Sequence, residues 1–351
     1  MCIKRFAVRG IELRFVLPVL LVLIATGSLA RANLIIVPTF DNSIAGDANA
    51  AGIEGTINSA ISLFEDTYSN PITVDIYFQE GGGLGESNFL YYAATYSYFY
   101  SRLVATDANP AAIAGLQLNG GASTHNPVTG TSQIDIKSAN ARALGINVAP
   151  GCLPTASPGT GVPMECGSGN NPGAGSVDGI ISLNTNITYP PNSNNGSSYD
   201  LLSTVEHEID EILGLGSSLP NSTASSGTVN GLAGNPAPED LFRYGAGGSR
   251  IFSVNCAAAT QAFFSYNGTT DLAQFDNACN GADFGDWANG SSAQVQDAFA
   301  SPGAGPAYGS NEMAALSAIG YTLATPEPGT WTLSLLLLAA MAFARRRRTE
   351  R

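Results

Sequence analysis

Between residues 34 and 78 the chain spells out a strand, a helix and a second strand, and this succession limits the possible folds more than any other feature. Leu34-Ile35-Ile36-Val37 is a short apolar run closed by Pro38. Ile53, Ile57, Ile61 and Phe64 recur at four- and three-residue steps, which puts them on one face of a helix over roughly 50–67. Ile72, Val74, Ile76 and Phe78 then alternate with Thr73, Asp75 and Tyr77, the period of a half-buried strand. Strands joined through a helix pair in parallel, with the helix covering one face of the sheet. The opening therefore predicts an α/β (α+β) fold on a twisted mixed sheet.

Gln133-Ile134-Asp135-Ile136 and Gly179-Ile180-Ile181-Ser182-Leu183 read as further strands, separated by Gly- and Asn-rich loops. Gly81-Gly82-Gly83-Leu84-Gly85 reads as a loop, and no Lys follows it at the spacing of a phosphate loop. The aromatic stretch Tyr91 to Tyr100 leads into a helix. Beyond residue 216 the expectation is a mostly irregular C-terminal part, with short apolar runs near 251, 263 and 313–323. No internal repeat is visible.

The two ends lie apart from this fold. Lys4, Arg5, Arg9 and Arg14 precede an apolar run from Phe15 to Ala25, and Ala30-Arg31-Ala32 closes it. Basic region, short apolar region and A-x-A site predict a cleaved secretory signal peptide over 1–32 and a mature chain from Asn33. At the other end Pro326-Glu327-Pro328 leads into an apolar stretch from Trp331 to Ala344, followed at once by Arg345 to Arg348. Arginines in that place stay on the cytoplasmic side. The segment 325–351 resembles the PEP-CTERM sorting signal of Gram-negative bacteria. That resemblance implies transient anchoring in the inner membrane, removal of the tail by an exosortase-type enzyme, and a final place at the cell surface or outside the cell.

Between the ends, residues 33–324 are expected to form a single domain. Of 15 Lys and Arg, five stand in the leader and five after residue 344, leaving five against 25 acids. A core so acidic excludes nucleic-acid binding through phosphates and attracts divalent cations. Four cysteines remain once Cys2 leaves with the leader. An even number in an exported chain predicts two disulfides, with the local pairs Cys152–Cys166 and Cys256–Cys279 favoured among three connectivities.

The strongest helix signal runs from Asp200, a natural N-cap, to Gly214, a natural stop. Leu201, Val205, Ile209, Ile212 and Leu213 fall in one arc, and His207 and Glu211 lie one turn apart nearly opposite it. A face opposite the core arc is ordinarily solvated, so surface charge is one reading. The other is chemical. A helical i, i+4 pair of imidazole and carboxylate can hold one divalent metal, and Glu208, one step along, can take a proton from the water that the metal acidifies.

The stretch Leu201 to Ser218 resembles the active-site helix of metzincin-type zinc proteases, whose pattern is H-E-x-x-H-x-x-G-x-x-H. His207, Glu208 and Gly214 match it; Glu211 and Ser217 stand where the second and third histidines belong. The wider chain, over roughly 70–324, resembles exported bacterial metalloprotease-like proteins with an H-E-I-x-E-x-L-G helix. The blocks that carry this likeness are Tyr199 to Leu202, Asp240 to Tyr244, Gly285-Asp286-Trp287 and Val295 to Phe299. The resemblance implies a zincin/metzincin-like sheet, an active-site helix and a bound zinc. His125 is the only other histidine and sits in a Thr124-His125-Asn126-Pro127 loop, so three histidines cannot ligate. Asp240 is the leading candidate for third ligand, ahead of Glu239, His125 and a water. One histidine with two carboxylates also suits manganese or iron. Asp283 and Asp286 are expected in a solvated turn, with calcium binding the alternative.

Two functions follow. One is a secreted metal-dependent peptidase acting on protein or peptide substrates, with Glu208 as base and His207, Glu211 and Asp240 on the metal. The other is a non-catalytic surface or matrix protein on a degenerate protease fold. A carbohydrate binder using the aromatic stretch 91–100 is a third reading, opposed by packing of those tyrosines in the core.

Overall fold

The computed structural model describes residues 33–118, 123–153, 165–166, 176–219, 234–253 and 261–324. The expected leader, the sorting tail and Cys256 lie outside them. All described residues belong to one unit, Asn33–Arg351.

The opening follows the sequence. Strand β1 (Ile35–Phe40) and short helix α1 (Asn42–Ala45) lead to helix α2 (Ala50–Thr67) and strand β2 (Thr73–Glu80). β1 and β2 pair in parallel, with Ile36 opposite Val74 and Phe40 opposite Phe78. Ile53, Ile57, Ile61 and Phe64 are the buried face of α2, as their spacing predicts. β1 does not stop at Pro38 but runs through it to Phe40. The ring is tolerated because β1 is the outer strand of its sheet, where a missing N–H breaks no ladder on the open side.

The Gly-rich loop ends one residue early. Gly85 already belongs to strand β3 (Gly85–Phe89), which the sequence hides because Gly-Glu-Ser-Asn has neither β-branched residues nor a hydrophobic alternation. Strand β4 (Tyr91–Thr95) and helix α3 (Tyr96–Thr106) divide the aromatic stretch, and Tyr96 and Phe99 pack in the core. Helix α4 (Pro110–Gly115), strand β5 (Gln133–Lys137) and helix α5 (Ser138–Ala143) follow. β6 (Cys152–Leu153) and β7 (Glu165–Cys166) pair across the Cys152–Cys166 disulfide. Cys279 is also disulfide-bonded.

Strand β8 (Gly179–Leu183), buried along its length, completes the main sheet in the order β1-β2-β8-β3. β8 runs parallel to β2 and antiparallel to β3, so β3 closes the sheet as its second outer strand. The short pair β9 (Thr188–Tyr189) and β10 (Tyr199–Asp200) feeds helix α6 (Leu201–Leu213), which packs against α2, β3 and β8. Its arc Leu201, Val205, Ile209, Ile212 and Leu213 is buried; each side chain of this kind contributes on the order of 1.5–3 kcal/mol.

The C-terminal part is more regular than the sequence suggests. A turn of 3₁₀ helix (Glu239–Phe242) precedes a three-stranded antiparallel sheet of β11 (Arg243–Gly245), β12 (Ala262–Phe264) and β13 (Ala273–Phe275), and helix α7 (Ser310–Ala318) is the last helix among the described residues. Strands of three residues carry too little pattern to be read from sequence. Phe242, Phe264, Phe275 and Trp287 join the same core as the main sheet and α6. The chain is thus a mixed α+β fold with several small sheets. Among the described residues no helix is long and apolar enough to cross a membrane.

Candidate metal centre

Helix α6 begins where Asp200 caps it, its carboxylate accepting from Ser203 N at 2.7 Å. It stops at Gly214, whose φ of 143° turns the chain where a side chain would be strained. Beyond the stop the Lys137 ammonium, itself buried, donates to the carbonyls of Glu211 at 2.7 Å and Leu215 at 2.5 Å. A cation on the last carbonyls of a helix is favoured by its dipole and satisfies acceptors that the helix leaves open. Lys137 also lies 3.3 Å from the centroid of the Phe89 ring.

The polar face of α6 is not solvated. Glu208 and Glu211 are 5% and 8% exposed, because β3 crosses over them on one side and two C-terminal segments close on the other. β3 comes this close only because residue 85 is glycine. A Cβ there would overlap the Glu208 carboxylate and lie 2.9 Å from Thr204 Cγ2. From the same strand Ser87 Oγ donates to Glu211 Oε2 at 2.5 Å.

On the opposite wall, Trp287 N donates to Gln296 O at 2.7 Å and Ala298 N to Trp287 O at 2.9 Å, which locks Asp286 and Val295 side by side. Glu312 on α7 anchors both strands of this loop, accepting from Trp287 Nε1 and from Gln296 N at 3.2 Å each. The result is a fixed environment for His207. Its Nδ1–H donates to Val295 O at 3.0 Å, which leaves the Nε2 lone pair facing the cleft. Nε2 stands 4.0 Å from Glu211 Oε1 and 3.7 Å from Asp286 Oδ1. His207, Glu208 and Glu211 each offer one ligand atom within 4.8 Å of the others.

The charges in this space are strained against one another. Burial pushes the Glu208 carboxyl well up, and the nearby Glu211 carboxylate adds to it. Asp286 is pushed up for the same first reason, with Asp283 and Glu211 adding, and Asp283 is pushed up to about 6 by burial and Glu211. Burial pulls His207 down, yet the Glu208 and Glu211 carboxylates outweigh it and its imidazole ends above its ordinary value. Such a group is stable only when protons or a cation balance it.

The structure brings together three of the four site residues read from the sequence. Asp240 is not among the residues lining the cleft. Its Oδ1 accepts from Ser217 Oγ at 2.6 Å, and its Oδ2 from Ser218 N at 3.0 Å and Ala237 N at 2.9 Å. Buried Arg243 lies beside it, 3.7 Å from Nε to Oδ1. Asp240 therefore braces the loop after α6. Glu239 does the same, its Oε2 accepting from Gly216 N at 2.5 Å, and His125 is exposed. Asp286, buried, and Asp283, half-buried, line the cleft instead, from one turn of the chain. The signal for them was present in the Gly285-Asp286-Trp287 block, but no spacing rule ties a turn to a helix more than seventy residues earlier. Val295 stood in another such block, whereas Lys137 and Ser87 carried no signal at all.

Comparison of the chain with protein-family models, with curated proteins and with solved structures finds no match.

Proposed function

We propose that the chain is a metal-dependent peptidase, exported by its leader and sorted by its tail, on a metzincin-like arrangement of mixed sheet and active-site helix. One observation carries the reading: the His207 Nε2 lone pair, oriented through Val295 O, faces Glu211 and Asp286 oxygens at 4.0 and 3.7 Å with Glu208 beside them.

The donor set suits a divalent ion, zinc first, with manganese or iron also served by one imidazole and two carboxylates. Tetrahedral zinc holds its donors about 3.4 Å apart; His207, Glu208 and Glu211 are the residues whose ligand atoms already lie within 4.8 Å of one another, and Asp286, 3.7 Å from His207 Nε2, would have to move toward Glu211 to join them. His207, Glu211 and Asp286 would hold the ion, and Ser87 would orient the Glu211 carboxylate from its far oxygen. The ion would supply Lewis acidity toward a peptide carbonyl and toward water.

The chain's own groups supply the rest. Glu208 lies within reach of the same space and, with its affinity for protons raised by burial, is suited to accept a proton from water and pass it to the leaving amine. β3, as the outer strand of the main sheet, presents backbone beside the cleft, where an extended peptide can add as a further strand. The cleft, about 510 Å³, is large enough for several residues of such a peptide.

The test is metal analysis of the mature protein together with casein hydrolysis. Stoichiometric zinc, activity abolished by chelation and restored by metal, and loss of turnover with retained metal in Glu208→Gln are expected. A protein that takes up no transition metal on reconstitution would end the proposal and leave the non-catalytic surface protein as the reading.

A further inference from the structure

We infer that the cleft selects peptides with a lysine or arginine side chain beside the scissile bond, and that Asp297 is the counter-charge which receives it. This rests on the peptidase reading of the same site.

Among the described residues lining the cleft there is no Lys or Arg, yet Glu86, Asp200, Asp283 and Asp297 line it in addition to the acids already assigned. A divalent ion offsets two negative charges, those of Glu211 and Asp286, and leaves these four to set the sign of the field. Low-dielectric walls focus such a field on whatever enters.

Asp297 adds something that acidity alone does not. The residue is 7% exposed and lines the cleft. Its Oδ2 accepts from Gln294 N at 2.9 Å, whereas its Oδ1 is buried without a hydrogen-bond partner among the described residues. A buried carboxylate oxygen without a donor is costly, and a charged donor relieves that cost better than a neutral one. Ala298, Ala300 and Ala304, whose side chains are single methyl groups, line the same cleft. Small apolar residues followed by a carboxylate match the two halves of a lysine or arginine side chain, an aliphatic stem and a cationic head. A glutamate or aspartate at that place in a substrate would meet like charge.

Binding separates this inference from the activity on which it rests. Fluorescein-labelled alanine heptapeptides with lysine, norleucine or glutamate at the centre are titrated against metal-loaded Glu208→Gln protein and followed by anisotropy, while wild-type protein is assayed for their cleavage. The lysine peptide is expected to bind about tenfold more tightly than the norleucine peptide, with glutamate weakest. Adding Asp297→Asn is expected to bring the lysine-to-norleucine ratio close to one. Equal binding of lysine and norleucine peptides overturns the selection, and that comparison needs no change at Asp297. A lysine preference that Asp297→Asn leaves intact overturns the assignment of Asp297. Binding with the expected preference but no cleavage by wild-type protein would count against the peptidase and not against the charge selection.

Discussion

The turn that carries Asp286 is pressed against the loop leaving α6, and the contact is backbone on backbone. A Cβ at Gly285 would fall 2.6 Å from Ser217 N and 2.7 Å from the Gly216 carbonyl carbon. Ordinary contact begins near 3.4 Å and the nearest atom, Gly216 Cα, would lie at 2.4 Å, so Gly285→Ala must part the two segments by about 1 Å, and neither is a flexible side chain that can swing away. Overpacking of this kind costs about 2–3 kcal/mol, roughly 3–5 °C in the melting temperature of a domain of this size. Asp286 is the next residue and moves with the turn, away from its 3.7 Å separation from His207 Nε2. Displacement of one donor by that amount is expected to weaken zinc binding about 10–100-fold. Calorimetric melting and competition with a chromophoric chelator measure the two effects on the same sample. Gly247→Ala is the control, because a Cβ there meets nothing within 4 Å. A Gly285→Ala protein that melts early yet holds zinc as tightly as its parent would refute the claim that this turn places a ligand, and unchanged melting would refute the packing argument itself.

Glu239 supplies a test that needs no metal. Burial pushes its carboxyl up to about 8 from the ordinary 4.5. Between those values the folded chain keeps a proton that the unfolded chain gives up, so this group's contribution to stability falls as pH rises through that window. Glu239→Gln removes up to about 1.4 kcal/mol per pH unit of that fall and should gain most over wild type near pH 8; parallel urea-midpoint curves from about pH 5 to 8 would contradict it. Gly85→Ala drives a methyl against the Glu208 carboxylate and Thr204, and a shift near 1 Å in the base should lower kcat about 100-fold while the metal stays bound; full activity in the variant would show that β3 does not set the position of Glu208. Lys137→Met keeps the shape of the side chain but leaves the Glu211 and Leu215 carbonyls without their buried donor. It should cost about 2–3 kcal/mol in chemical denaturation, and a variant as stable as wild type would show that the ammonium is not what closes the helix.

What the sequence determined is local. The three-and-four spacing of Ile53 to Phe64 and of Leu201 to Leu213, the alternation of residues 72–78, the cap at Asp200 and the stop at Gly214 all depend on neighbours a few residues apart, and each stands in the structure where periodicity puts it. The pairing of His207 with Glu211 belongs to the same class, since one helical turn places them side by side in any fold. Tertiary packing decided the rest. Whether the polar face of α6 meets water depends on β3 and on the segments around 283–286 and 294–297, which arrive from distant parts of the chain. Packing also decided that Asp286 lines the cleft and Asp240 does not. Asp240 lies nearer in sequence, but Ser217, Ser218 and Ala237 already occupy its oxygens, whereas a backbone loop locked by Trp287 brings Asp286 to the imidazole. Periodicity records which side of an element is apolar; it holds no record of what will cover the other side, because that is fixed only when segments far apart in the chain compete for the same space.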